Sequence, residues 1–336
     1  MTGSVALGLT LPVRGLALRD HGPVLDAARR ARFTELWTGE ASRADGFTPL
    51  AWAAARHPEF SLGTSVVSAY TRGPALIAMS AAALAEMTTA PVVLGIGSSS
   101  NVIVEGWNGI PFTRPLTRVR DTVRFLRQAF SGARVDFRSS SFDVDGFRLE
   151  HPPATPPRIM VAALRERMLR LAIEEADGVI LNWLSADDVR TLRGLVHSAE
   201  PTAIAVRVFV VVGHDADAVD DHARRQIAAY LNVPVYAQFQ RWLGRDELAP
   251  MWDAWARGDR RSALAAIPHD AVDALFLTGT PERIAAGLRR YADVGVDHLI
   301  VDLTAVDGDV VDHLTRIGAA YAIRNPPDPL KGSDVA

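Results

Sequence analysis

The stretch VVLGIGSSSNVIVEGWNG, Val92–Gly109, ends an apolar run in two glycines and three serines, then turns to bulky residues with Glu105 and Trp107. It is either a plain surface turn or a backbone stripped of side chains so that something flat or anionic approaches it. In the second case Gly95 and Gly97 remove bulk, and Ser98 to Ser100 offer hydroxyls and amides. Other apolar runs end in WTGE, with Glu40, in TSVVSAYTRGP, with Ser65, Val66, Tyr70 and Arg72, in VAALRERM, and in LNWL, with Asn182 and Trp183. Together these four ends hold the carboxylates Glu40 and, one residue inside a helix start, Glu166, with several small residues and the aromatics Trp37, Tyr70 and Trp183. They hold no nucleophile–base pair and no metal cage. Such a set suits a site where a bound cofactor does the difficult chemistry.

Composition narrows the classes further. The 336 residues are 48% hydrophobic and 22% charged, which is ordinary for a globular chain with a large core. A net charge of −3 leaves no basic footprint for nucleic acid. The chain has no cysteine, so disulfides, thiolate nucleophiles and cysteine-bound zinc are excluded. Its one lysine is Lys331, which argues against Schiff-base chemistry. None of the nine histidines forms His-x-His or His-Glu-x-x-His, so the spacing predicts no metal site. There is no P-loop, G-x-G-x-x-G or G-x-S-x-G. Met1–Leu11 lacks the features of a signal peptide, and the apolar segment Pro74–Leu84 is too short to span a bilayer. A soluble, cytoplasmic protein is the expectation.

The elements that must position these ends alternate along the chain. Strands are predicted at Val5–Leu11, Phe33–Thr38, Ser61–Val67, Val92–Ile96, Arg158–Val161, Gly178–Leu181, Ile204–Val212 and Asp297–Leu303. Helices are predicted between them, including Pro74–Met87, Pro115–Phe130, Ala186–His197 and Pro281–Val294. A hairpin over Val135–Leu149, turning at Asp145–Gly146, and a helical insertion over Asp215–Ile267 interrupt the rhythm. Residues 326–336 read as a loose tail. Eight apolar strands alternating with helices predict an α/β protein with a parallel sheet covered by helices. A (β/α)8 TIM barrel with insertions, one domain over residues 1–325, fits the length; a doubly wound open sheet is the alternative. GTPER, Gly279–Arg283, is either a phosphate loop or a helix start with Thr280 as N-cap and Pro281 in the first turn.

The runs TSVVSAYTRGPALIAMSAAALAEMT, LGIGSSSNVIVEGWNGIPFTRPLTRVRDTVRFLR, LRLAIEEADGVILNWL and GTPERIAAGLRRYADVGVDHLIV resemble the luciferase-like monooxygenase superfamily. Within it they most resemble the F420-dependent oxidoreductases, close to methylenetetrahydromethanopterin reductase. The resemblance covers about residues 5–322. It implies a luciferase-like barrel, bound coenzyme F420, or FMN as the alternative, and hydride transfer between the deazaflavin C5 and a small organic substrate. The other readings are an FMN-dependent monooxygenase and a non-catalytic F420-binding barrel.

The resemblance also assigns residues. Gly95, Gly97 and Ser98 would leave room for the cofactor ring. A non-prolyl cis peptide of the family matches the Ser65–Val66 bond. Ala163, Leu164 and Arg165 would hold the cofactor phosphate at a helix start, with Arg165 and Arg167 adding charge-assisted bonds. Asn182 and Trp183 fall in the ring or phosphate region, although Trp183 is equally a core residue. Glu40 falls where an acid lies near the ring, to accept hydrogen bonds or move a proton, unless it pairs with a barrel arginine. Glu105 as a second catalytic group, and Tyr70 and Trp107, would face the substrate; Glu105 and Trp107 could equally cap and pack the next loop. Ser98 and Ala41 stand where the sugar-phosphate dehydrogenases of the group carry an acid and a histidine, which argues against that substrate. The resemblance implies a homodimer, and Ala78, Ala81, Ala82 and Ala85 form a small-residue face that either meets the partner or packs on the protein's own barrel.

Overall fold

The computed structural model describes residues 5–195 and 202–322. Eight parallel strands close into a barrel: β1 Ala6–Leu11, β2 Glu35–Thr38, β3 Ser61–Thr64, β4 Val92–Gly97, β5 Arg158–Ala162, β6 Gly178–Asn182, β7 Ala203–Val212 and β8 His298–Ala305. Each pairs with the next, and β8 pairs back onto β1 through Ala6–His298 and Leu9–Val301. These are the eight strands read from the sequence. They form because nearly every residue in them is buried, so neither face tolerates water. The helix predicted over Ala186–His197 is described to Leu195. Its last two residues and the tail from residue 326 lie outside the described residues.

The barrel axis is filled by a small cluster: Trp37, Val93, Met160, Ile180, Ala203, Ala205 and Ile300. Trp37 is its largest member and is 1% exposed. Its indole fits because the neighbouring strands carry glycine beside it. A Cβ at Gly63 would lie 2.3 Å from the ring, and one at Gly8 2.5 Å. The indole Nε1 donates to Glu35 Oε2 at 2.8 Å, and Glu35 Oε1 lies 2.8 Å from His298 Nδ1. A buried carboxylate is thereby partnered on both oxygens.

Three features depart from the sequence reading. The hairpin pairs Val135–Arg138 with Asp143–Phe147, so the chain turns between Arg138 and Asp143 rather than at Asp145–Gly146. Gly146 instead takes a φ of +64° inside the second strand, near a register shift. Phe137 and Phe142 stack there and pack edge-on to Phe125 of the helix Pro115–Phe130, which sets the register the dipeptide suggested wrongly. The helical segment after β7 runs on to Leu275 and ends in a short strand, Phe276–Thr278, beside β7. Finally, Ala78, Ala81 and Ala82 are at most 3% exposed and pack on the protein's own core. The helix Pro74–Met87 turns Leu76, Met79 and Met87 outward instead, at 46%, 48% and 38% exposure.

The indole packing makes a prediction. Gly63→Ala should cost about 1–3 kcal/mol by overpacking against Trp37. Urea unfolding followed by circular dichroism measures it, and an unchanged midpoint would contradict the packing.

Candidate functional site

The glycines of β4 are explained first. β3 pairs with β4 only at Leu62 and Gly63, and the short strand Val67–Ser68 rejoins β4 at Ile96 and Gly97. Between these pairings Thr64–Val66 bulges into the barrel, and the Ser65–Val66 peptide is cis. A Cβ at Gly95 would lie 1.9 Å from the Thr64 carbonyl oxygen, and one at Gly97 2.6 Å from Val66 Cγ2. Thr64 Oγ1 also donates to Gly95 O at 3.0 Å and accepts from Gly95 N at 2.9 Å. The space these glycines leave is thus taken by the protein's own bulge. This corrects the expectation that they make room for a ring directly; the surface offered at the mouth is the bulge they permit.

Above Trp37 the next inward layer is polar. Alternation along each strand turns Thr10, Ser65, Gly97, Ala162, Asn182, Arg207 and Asp302 toward the axis. Thr10 Oγ1, Ser65 Oγ, Asn182 Oδ1 and Arg207 Nε are buried without a hydrogen-bond partner. One such atom costs about 1–3 kcal/mol if it stays unsatisfied. Four in one layer at the C-terminal end of a barrel mark where a ligand or water completes the bonding.

Arg207 and Asp302 form an ion pair in this layer, the two side chains being 21% and 10% exposed. Burial alone would lower the arginine's pKa, but Asp302, with Tyr230 nearby, overcomes it and holds the guanidinium charged. Neither residue was singled out in the sequence. The signal was a charge inside each of two apolar strands, AIAVRVFVVV and HLIVDLTA. Tyr236, from the helical insertion, lies beside Asn182, and burial raises its hydroxyl's pKa.

The other named residues take varied places. Glu40 pairs with Arg72 at 2.6 Å, the two side chains being 15% and 16% exposed. Its oxygens also accept from the amides of Gly46 at 3.1 Å and Ser68 at 3.4 Å. It therefore fastens the loop after β2 to the strand that leaves the bulge, which is the arginine pairing weighed as its alternative. Ser98 Oγ donates to the Ser99 carbonyl at 3.3 Å. Tyr70 is buried at 7% exposure, donates to the Thr113 carbonyl and packs on Phe112. Glu105 is exposed and accepts from Phe112 N at 3.1 Å, so it caps the following loop. Trp107 is 57% exposed on the surface.

Trp183 lies in the core of the helical insertion rather than on an open wall. It is 1% exposed, and its ring stands 4.3 Å from Phe209 and 5.1 Å from Tyr230. Its ring is covered by protein, which is the core role weighed for it, while its Nε1 is buried without a hydrogen-bond partner. The Ala163 amide is likewise spent on Ile180 O at 3.1 Å and is not free for an anion. The helix Glu166–Glu175 begins just beyond, with Arg165 at its N-cap and no side chain capping it. Arg165 Nη1 donates to Gln238 Oε1 at 3.0 Å, while Leu164 is half-buried and Arg167 exposed beside it. At Gly279–Arg283, Thr280 Oγ1 accepts from Arg283 N at 3.3 Å, so that segment is a capped helix start.

With this geometry in place, the chain can be set beside known proteins. It is 26% identical over 334 residues to a putative coenzyme F420-dependent oxidoreductase of Mycobacterium tuberculosis, covering 90% of this chain and 96% of that one. It is 25% identical over 303 residues to the 5,10-methylenetetrahydromethanopterin reductase of Methanolobus tindarius, covering 85% and 92%. Among solved structures, the coenzyme F420-dependent tetrahydromethanopterin reductase of Methanopyrus kandleri superposes with a TM-score of 0.77 at 17% identity, over 96% and 99% of the two chains. Residues 6–298 match the family described as luciferase-like monooxygenase, and the chain is an oxidoreductase-type barrel belonging to that family.

Proposed function

We propose that this protein is an F420-dependent oxidoreductase, working in the cytoplasm, that transfers a hydride between the deazaflavin C5 and a small organic substrate: a carbonyl, an alcohol or an activated C=C or C=N. The observation that carries the reading is the layer of unpartnered polar atoms beside the inward bulge, at the mouth of a barrel whose relatives are named for F420. When bound, the deazaflavin supplies a two-electron carrier that passes hydride rather than activating oxygen.

The chain's own residues do the rest. Val66, Gly97 and Ala162 give a flat apolar wall, and Ser65 Oγ and Asn182 Oδ1 give hydrogen-bond partners at its edge. The uncapped start of the helix Glu166–Glu175, with Arg165 and Arg167, favours a phosphate through its amides and dipole. Tyr230 and Tyr236, carried by the insertion, cover the mouth and exclude water. Tyr236 keeps its proton and offers a donor there. Glu40 acts by holding the Val67–Ser68 strand, and hence the bulge, in place.

Cofactor choice is tested by fluorescence titration. Oxidised F420 should bind at micromolar concentration or tighter, and FMN at least about tenfold more weakly, a difference of roughly 1.4 kcal/mol. Asn182→Ala should weaken F420 binding by about tenfold, and equal or tighter FMN binding would favour the monooxygenase reading instead. Binding of neither would overturn both.

The ion pair gives a second test. Asp302→Asn leaves Arg207 half-buried without its counter-charge, and should cost about 1.5–3 kcal/mol, whereas Arg207→Met with Asp302→Leu should recover most of it. Denaturant melts of the two variants measure this; equal stability would mean the pair is not placed as described.

The partners proposed are the small substrate and a second copy of the chain, with no role for nucleic acid or membrane. No helix among the described residues is long and apolar enough to cross a membrane. The outward face of the helix Pro74–Met87, with Leu76, Met79 and Met87, is the self-association surface we assign in place of the alanine face. Leu76→Glu with Met79→Glu should give a folded monomer by light scattering and circular dichroism. A dimer that survives both changes would reject this face.

A further inference from the structure

Three metal-ligating side chains from separate parts of the chain meet outside the barrel mouth. His214 stands two residues beyond β7, Asp307 two residues beyond β8, and His313 in the first turn of the helix Val310–Ala322. One ligand atom from each lies within 4.8 Å of the other two. His214 Nδ1 is 2.6 Å from Asp307 Oδ1, and His313 Nε2 is 3.1 Å from the Asp307 carbonyl oxygen. The two imidazole rings are 5.6 Å apart. No other group of three such residues is found among the described residues.

Two glycines allow this convergence. Gly308 has a φ of +74°, and a Cβ there would lie 2.8 Å from His313 Nε2 and 3.0 Å from His214 Cε1. A Cβ at Gly213 would lie 3.0 Å from Asp307 Oδ2. A side chain at either position would drive the three groups apart. On its other side the cluster opens on a cavity of about 530 Å³ whose wall includes Asp220, His269, Thr280 and Arg316. None of Thr10, Ser65, Asn182 and Arg207 lines that cavity.

We propose that His214, Asp307 and His313 bind one divalent transition-metal ion of the zinc class. Two neutral imidazoles and a carboxylate suit zinc and its borderline neighbours, whereas calcium and magnesium favour oxygen donors. Metal–ligand bonds of about 2.0–2.2 Å in a tetrahedral site set the ligand atoms roughly 3.3 Å apart. The present spacing, from 2.6 Å between His214 Nδ1 and Asp307 Oδ1 to at most 4.8 Å, brackets that value; the carboxylate is already placed by the amides of His214 and Asp215, and binding would exchange the His313 Nε2 contact with the Asp307 carbonyl for the ion. The ion takes the place of the proton between His214 and Asp307. Its fourth position faces the cavity, where water or a small anion binds. The ion would tie the start of the helical insertion to the last helix of the barrel.

The test uses the full, untagged chain, stripped with EDTA and titrated with zinc chloride by calorimetry. One zinc per chain is expected. His214→Ala and Asp307→Asn should each weaken binding by at least about tenfold, as losing a ligand costs no less than losing an outer-shell partner. His214 is exposed, so its variant should keep the wild-type circular dichroism spectrum. Cobalt is the second probe: its visible bands should appear with the wild type and be lost in His214→Ala. No stoichiometric zinc binding by the wild type would overturn the proposal. So would binding that His214→Ala leaves unchanged.

Discussion

The packing of one indole inside the barrel sets the level of everything above it. Trp37 occupies the axis because Gly8 and Gly63 yield their side-chain space on either side. It is held in one orientation by Glu35, itself held by His298. Packed interiors deform little, so a ring fixed on three sides makes a rigid floor. The inward layer one step further along each strand then stands at a fixed height, and that layer holds the polar atoms and the ion pair of the mouth.

The bulge of Thr64–Val66 works under the same logic of close approach. Thr64 and Gly95 exchange two hydrogen bonds that an ordinary strand pair would not make. The backbone groups leaving the ladder are satisfied elsewhere: Ser65 N bonds Thr38 O at 2.5 Å, and Glu40 N bonds Val66 O at 3.2 Å. In the mouth, Thr10, Ser65, Asn182 and Arg207 each keep a buried side-chain atom without a partner, as do Trp183 Nε1 at the end of β6 and, away from the mouth, the Tyr321 hydroxyl. Those two backbone bonds are made, while the side chains of the mouth stay open. That contrast separates a site from a folding defect, because unpaired backbone is a loss anywhere, whereas unpaired side chains in a mouth are completed by what binds there.

The fold was legible in the sequence because buried parallel strands leave long apolar runs, and all eight were read in place. The hairpin turn was misplaced because Asp-Gly marks local preference only, while the stacked Phe137 and Phe142 decide the register. The alanine face was left open between two packings for a related reason: small side chains permit close approach without saying to what, and here Ala78, Ala81 and Ala82 meet the chain's own barrel. Ser65, Gly97 and Asn182, named through the strand-end rule and the resemblance, lie in the inward layer at the barrel mouth. Arg207 and Asp302 escaped because they sit in strands read only for their hydrophobicity. The His214–Asp307–His313 cluster was invisible to spacing, since 93 residues separate the first two.

The helical insertion is stitched to the barrel more deeply than its position in the chain suggests. Trp183, at the end of β6 with a φ of +60°, sits in the insertion's core, and its carbonyl accepts from Gln240 Nε2 at 2.8 Å. Arg245 joins Gln240 at 2.8 Å and pairs with Asp188 on the helix after β6. In terms of recombination, the insertion is not a cassette with clean ends. A crossover cut between β7 and the insertion would inherit a tryptophan shaped for an insertion core that is no longer there. The exchangeable unit of this architecture starts upstream of β6's last turn, so insertion and barrel wall must descend together.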